Sequence, residues 1–442
     1  MPTSIRILLF WTFVTGFLVA APLLIFYTFG FRYNFQTGRV EHTGVISVST
    51  IPRGANVSVN GKPHRSVTPT LVKQLRPRDH LVSLTKDGFH SWEKTVRAVE
   101  RKTVFLDSIV LWANRKPVLV TDQGNIHLMN KASTALASLE VTGAWTEVWI
   151  EELEKNTRAL VARFPGSQPE KVGLSWAPNG ERLLMSSGAS DTLVSKRDGS
   201  EQLRLNERVP SIQSAWWNEG EAEDLIVTIG SETRRLNPVS GEVSMLFNTP
   251  VETLFGREGR LFFTREGAER THVVSRVGAE ENVIAILPTG SYRFIESRLP
   301  YLLLFEEGRG RIVLIDADNH DQPILLQTEA LEAHWSPNGE TRLLYTNGFE
   351  THLFYPQTLG DTLIDRMSRS VASVAWHPSG TAIVLAHQDG VVAYDLHEPG
   401  FIQTKLNDAQ EISRVFIESP GGRLLFLGTV DGVYGLYQQT IR

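Results

Sequence analysis

The sequence predicts an all-β protein in three parts: an N-terminal transmembrane helix, a small β-sandwich, and a seven- or eight-bladed β-propeller. Three observations carry this reading. Residues 7–31 run without a charge. Residues 44–111 alternate apolar and polar side chains between turn residues. A tryptophan two places before proline and four before glycine then returns down the chain, as Trp176-Ala-Pro-Asn-Gly180, Trp335-Ser-Pro-Asn-Gly339 and Trp376-His-Pro-Ser-Gly380. A repeat of about 40 residues built from short apolar strands is the mark of a propeller.

Composition sets the outer bounds. A chain of 442 residues allows two or three domains. Hydrophobic residues at 41% and charged residues at 21% suit ordered domains with large cores. The net charge is -5 with no basic block, which speaks against nucleic acid as a partner. The absence of cysteine excludes disulfides, thiolate metal sites and cysteine nucleophiles.

The uncharged run from Ile7 to Phe31 exceeds the ~20 apolar residues that cross a bilayer. Trp11 at one end, with Tyr27 and Tyr33 near the other, suit the two interfaces. Pro22 is tolerated in a membrane helix. A cleaved signal peptide with a small-residue site near Val19-Ala20-Ala21 is the competing reading. Its apolar core would be about 7–15 residues, and here the apolar run continues past the alanines, so a retained signal anchor is expected. Arg6 precedes the helix, and Arg32 and Arg39 follow it, so local charge does not set the orientation. The short N-terminus and the folded mass behind the helix point to residues 1–6 in the cytoplasm, a span over 7–29, and a linker over 30–43 that contains Gln36-Thr37-Gly38-Arg39.

From Val45 the period becomes two. Val45–Thr50 and Asn56–Val59 read as strands around the turn Pro52-Arg53-Gly54-Ala55. Asn60-Gly61 is a strong hairpin signal because both positions favour positive φ. Thr68-Pro69 opens a segment through Leu71 and Leu75. His80–Lys86 alternates, turns at Asp87-Gly88, and returns from Phe89 to Val96, and a last strand covers Lys102–Leu111. Many short strands with evenly spaced turns predict a sandwich over 44–111. The segments Pro52-Arg53-Gly54-Ala55, Val57-x-Val59-Asn60-Gly61-Lys62, Thr68-Pro69, His80-x-Val82 and Lys86-x-Gly88-Phe89 resemble the PEGA domain, a small surface module of bacteria and archaea. Arg53 stands where that family has glutamate, in a turn. The resemblance implies display outside the cytoplasm, often near cell-envelope polymers, and transfers no catalytic residue.

Residues 112–442 hold the repeats. Weaker copies centre on Trp217, Phe255 and Phe294, and a degenerate copy is Phe416-Ile-Glu-Ser-Pro420-Gly421. Each aromatic is expected to end an innermost strand and bury its face between blades, with the Pro and Gly making the turn that follows. Strands are expected at Pro117–Thr121, Asn125–Met129 and Ala135–Leu139. The repeat at 412–440 shows three strands, and Ser108–Trp112 is expected to supply the fourth and close the ring. Residues 141–170, with Trp145 and Trp149, fit either an incomplete blade or an insertion. The repeat resembles the TolB-like and WD40-like propellers of bacteria, which implies the fold but no particular partner.

No motif commits the chain to chemistry. Asp316-Ala-Asp318-Asn-His-Asp321 lacks the glycine and distal glutamate of a calcium loop and reads as a polar turn. The histidines show no metal-ligand spacing, and His334 and His377 read as blade-edge residues. Glu151, Glu152 and Glu154 read as a solvated edge, since neighbours on a strand face opposite ways. One of Trp216 and Trp217 should face inward and the other pack under a loop. Asn56-Val-Ser58 is a sequon in form only. No serine-nucleophile elbow, Walker loop or dinucleotide fingerprint occurs. No catalytic, cofactor or metal residue is therefore expected. The reading is a non-enzymatic scaffold of the bacterial plasma membrane, single-pass, with its propeller binding a protein or envelope glycan outside the cytoplasm. Two alternatives stand: a propeller glycosidase or lyase with carboxylates converging on the tunnel, and a membrane assembly or sensor factor. Gly16 and Gly30 lack the spacing of a helix-pairing motif, which gives the last little support.

Overall fold

A computed structural model of the protein describes residues 3–28, 31–34, 38–122, 126–130, 134–153, 155, 157–188, 191–218, 220, 224–368, 370–398 and 400–442. Helix α1 spans Thr3–Thr28, so Thr3–Arg6, expected outside the span, are helical. Its 26 residues reach about 39 Å at 1.5 Å per residue, enough for the hydrocarbon core. Within Ile5–Thr28 the most apolar 18-residue stretch has a mean hydropathy of 2.2 and packs against nothing. The Thr12 hydroxyl donates to the Leu8 carbonyl at 2.9 Å, and Thr28 to Leu24 at 3.0 Å, so these polar groups are satisfied within the helix.

The expected linker is instead largely a hairpin. Strands β1 (Phe31–Asn34) and β2 (Arg39–His42) pair antiparallel, with Phe31 opposite His42. Gln36 and Thr37, like Gly30, lie outside the described residues.

The sandwich has seven further strands: β3 (Gly44–Ile51), β4 (Asn56–Val59), β5 (Lys62–Pro63), β6 (Thr70–Leu75), β7 (Asp79–Thr85), β8 (Trp92–Arg97) and β9 (Thr103–Val110). One sheet runs β6-β3-β9 and the other β5-β4-β7-β8. Alternation on β3 buries Ile46 and Val48 against Val57, Val82, Leu84, Trp92 and Leu106. Asn60 and Gly61 take φ of 52° and 75° in the β4–β5 turn, as that hairpin requires.

Residues 118–440 form eight four-stranded sheets among the described residues. Seven are simple meanders whose first strands are Ile126–Met129, Val172–Trp176, Ser214–Trp217, Leu254–Arg257, Tyr292–Phe294, Glu332–Trp335 and Val371–Trp376. These are blades one to seven; blade eight begins with Gln410–Ile417. Eight apolar clusters lie between consecutive sheets. Blades one and two share the cluster of Ala137 with Leu183, and the series passes through each neighbouring pair. Leu136 of blade one meets Leu425 of blade eight. The cycle of clusters closes, so the sheets form a ring.

The closing strand is Val118–Thr121, which pairs with Val433–Thr440, and not Ser108–Trp112 as expected. Residues up to Val110 already pair in parallel with β3 and are unavailable to the ring. Trp112 instead buries its indole in the cluster between blades seven and eight, edge-on to the His377 ring at 5.6 Å. Residues 141–170 resolve as the outer half of blade one: Ala135–Thr142, Trp145–Glu152 and Thr157–Pro165 pair in sequence. The start of the expected strand at Asn125 lies outside the described residues.

The repeated aromatics end or nearly end the first strand of blades two to eight, as the spacing requires. Three add a hydrogen bond. Trp176, Trp217 and Trp376 donate Nε1–H to the carbonyls of Leu128, Ser175 and His334 on the preceding blade, at 2.9, 2.9 and 3.0 Å. The glycine of the turn is needed for contact with the neighbouring blade. Gly421 has φ of 87°, and a Cβ there would come within 2.6 Å of His377 Nε2.

The sandwich is bolted to blade seven. Ile402 packs on the sandwich core. The Lys94 ammonium, 4% exposed, donates to the carbonyls of His397 and of Gly400 (2.7 Å) and lies 3.7 Å from Asp395. His397 Nδ1 faces Asp395 Oδ2 at 2.9 Å and Nε2 faces the Asp107 carbonyl at 2.9 Å. Both partners are acceptors, so the ring carries two hydrogens and is an imidazolium. Burial opposes that charge, but the Asp395 carboxylate prevails and raises the pKa. For Lys94 burial prevails over Asp395 and lowers it.

Candidate functional site

The innermost strand of each blade presents unpaired N–H groups to the central channel, an edge that must be satisfied. Side chains of the preceding blade do this. Thr253 Oγ1 accepts from Phe294 N–H at 3.0 Å. Glu296 accepts from Trp335 N–H at 3.3 Å, and Glu332 from Val374 N–H at 2.9 Å. Ser373 Oγ accepts from Val415 N–H at 3.3 Å and donates to Glu332 at 3.1 Å. Four polar residues, one from each of blades four to seven, thus lace blades four to eight together.

A cavity of about 600 Å³ opens along this wall, lined by Glu296, Arg298, Glu332, His334, Trp376 and Arg414 among others. His334 occupies its centre. Its Nδ1 is 3.0 Å from Glu296 and its Nε2 is 3.8 Å from Glu332. Burial alone would lower its pKa; Glu296, then Glu332, outweigh it and raise the value to about 10. The ring is 37% exposed to the channel and lies between the two carboxylates. Glu296 holds a left-handed backbone (φ 41°), uncommon for a residue with a Cβ, and this turn aims its carboxylate at the next blade. No cluster of three or more His, Asp or Glu able to hold a metal occurs among the described residues.

His334 is therefore a channel residue, not the blade-edge residue expected. Strand alternation against buried Trp335 and the i, i+2 placement of Glu332 carry that signal, and Glu296 stands one repeat earlier. His377 is buried in the turn after Trp376. Its Nδ1 accepts from Ser379 N–H at 3.1 Å, and burial lowers its pKa to about 4.

The other sequence motifs are structural. Asp316–Asp321 lies in the turn joining Arg311–Asp316 to Ile324–Glu329; Asp318 pairs with Arg260 at 2.9 Å. Glu152 pairs with Lys155 and Arg197 at 2.6 and 3.1 Å, and burial raises the Glu151 pKa, so this end is ion-paired and partly buried rather than a bare solvated edge. Glu154 lies outside the described residues. Trp217 faces inward, and Trp216 packs half-buried on the cluster between blades three and four.

Helix, sandwich and closed ring define a class: a single-helix propeller protein with an accessory β-sandwich. Residues 43–109 match the PEGA domain family. The chain thus carries a segment that matches the PEGA domain, followed by a propeller. No curated protein matches it. Similar solved structures include the C-terminal WD40 domain of Sif2, at 15% identity over 74% of this chain and 97% of that one, TM-score 0.47. The Dos1 propeller matches at 12% over 73% and 95%, TM-score 0.49. Sqt1 of Saccharomyces cerevisiae matches at 9% over 74% and 99%, TM-score 0.46. The ring assignment rests on the strand order and the closed cycle of clusters.

Proposed function

We propose that the protein is a non-enzymatic scaffold of a bacterial envelope, tethered by α1, whose propeller holds a partner protein outside the cytoplasm. The observation that carries the reading is the commitment of the channel's polar groups to joining blades, together with a sandwich bolted to one face. Loops between first and second, and third and fourth, strands lie on that face. Hairpins between second and third strands lie on the other, and there Trp145, Phe349, Val433 and Tyr434 stand exposed. Large exposed aromatics on a rigid rim suit a protein partner. The test is co-purification from detergent-solubilised membranes. The triple variant Trp145→Glu, Phe349→Glu, Tyr434→Glu should lose a protein that the parent retains, with an unchanged melting transition; an unaltered set of bound proteins, or loss of a bound glycan instead, would count against the reading.

A second reading, a propeller enzyme acting on envelope polysaccharide, is favoured by one observation: two carboxylates flank His334 at the wall of the cavity. Polysaccharide cleavage by the purified protein that is abolished by Glu296→Gln would establish it.

A further inference from the structure

Charge is unevenly placed along the chain. Residues 44–111 hold eleven Lys and Arg against five Asp and Glu, a net +6; residues 112–442 hold 30 against 43, a net -13. Much of the excess of the sandwich gathers at one end. Lys73 lies on β6, Arg76 and Arg78 in the β6–β7 turn, Arg97 at the end of β8, and Arg101 and Lys102 in the β8–β9 turn. The turns are tied together: Ala98 N–H donates to the Arg78 carbonyl at 3.0 Å, and Arg101 N–H to the Thr43 carbonyl at 3.3 Å. Two carboxylates share this end, Asp79 and Glu100, and Glu100 sits 3.9 Å from Arg101. Among the described residues no carboxylate lies within ion-pair distance of Lys73, Arg78, Arg97 or Lys102. Exposed Val99 projects between them.

This is also the end at which the chain arrives from the helix. Because β1 leaves and β2 returns, His42 lies beside Phe31, their rings 3.8 Å apart, and Phe31 packs on Phe26 of α1 at 5.0 Å. Thr43 alone separates that return from β3, and the Arg101 guanidinium reaches the His42 ring. The hairpin therefore adds no reach: the basic turns are held at the helix end.

We propose that this end of the sandwich rests on anionic lipid headgroups, with Val99 entering the headgroup layer. The inference rests on α1 spanning the bilayer. Cations within a Debye length of about 8 Å from the surface feel the headgroup charge, and each adds about fivefold to affinity for an anionic bilayer. A bilayer is the occupant because the tether fixes these cations at its surface, whereas a polymer could be met equally by Arg53 and Lys86 at the other end.

The test uses residues 44–442, which hold every residue of the buried clusters and so keep their own cores. Sedimentation is compared with phosphatidylcholine vesicles with and without phosphatidylglycerol. Binding is expected with phosphatidylglycerol present and is reversed by salt. The pair Arg78→Gln, Lys102→Gln should weaken it about 25-fold, while Arg53→Gln, Lys86→Gln, removing the same charge, should change it less than about twofold. Equal binding to both vesicles, no binding, equal losses in the two pairs, or tighter binding to polygalacturonate would each overturn the proposal. Melting curves confirm that both variants fold. Whether α1 spans is read separately, from retention of the full chain in membranes after an alkaline carbonate wash.

Discussion

The repeat tryptophans offer a controlled comparison. Trp335 and Trp376 occupy the same place in blades six and seven, both nearly buried. Trp376 Nε1 donates to the His334 carbonyl at 3.0 Å, whereas Trp335 Nε1 is buried without a partner. Tryptophan-to-phenylalanine removes a similar volume at both sites, so the packing loss largely cancels. Trp376→Phe also removes a second hydrogen bond to the His334 carbonyl, which still pairs with Leu344 across the strands, and a typical hydrogen bond contributes about 0.5–1.5 kcal/mol net. Trp335→Phe removes a polar atom that had no partner and carries no such cost. The expected difference is therefore about 0.5–1.5 kcal/mol, with Trp376→Phe the less stable. At a urea slope of about 3 kcal/mol/M that is about 0.2–0.5 M between unfolding midpoints. Urea titration of residues 44–442, followed by far-ultraviolet circular dichroism, reads it directly. Equal midpoints, or a lower one for Trp335→Phe, would refute the account of the tryptophan as a hydrogen-bonded inter-blade staple.

Three further outcomes are expected. His377 has a folded pKa of about 4, below the unfolded value, so its neutral form stabilises the fold fully above about pH 6.5; roughly 3 kcal/mol is lost as pH falls from there through 4, and urea midpoints of His377→Asn should show a shallower acid dependence. His334, raised to about 10, should remain protonated at pH 8 in its imidazole nitrogen resonances, and Glu296→Gln should bring that titration toward neutrality; its stabilising effect is lost only as pH rises through the folded value. Lys94→Ala leaves the buried Asp395 carboxylate without its ammonium, and breaking a buried ion pair costs about 3–5 kcal/mol, so calorimetry should show the sandwich melting apart from the propeller where the parent melts as one unit.

Much of the architecture was legible because it repeats. Tryptophan-Pro-Gly spacing marks the innermost strands of blades two, six and seven, its weaker copies mark blades three, four, five and eight, and alternation plus Asn60-Gly61 marks the sandwich. Ring closure was misplaced because Ser108–Trp112 and Val118–Thr121 are both short apolar runs; what separates them is that β9 is already claimed by β3, a pairing between residues as far apart in sequence as Val45 and Thr103. The channel group was missed for a related reason. Glu332 and His334 share a strand face by their i, i+2 spacing, but Glu296 belongs to the preceding repeat, and its meeting with His334 depends on how blades are stacked. Lys94 and His397, 303 positions apart in sequence, carry no sequence signal of their contact.

The strand pairing of Val118–Thr121 with Val433–Thr440 has a consequence for biosynthesis. Nothing before residue 433 can complete the ring, so a ribosome must deliver the chain through the strand Val433–Thr440 before the circle shuts. Until then the nascent arc shows two bare sheet edges, each a template for pairing with another chain. Messages truncated shortly before Val433–Thr440 should therefore yield products cleared by proteolysis rather than weakened but folded ones.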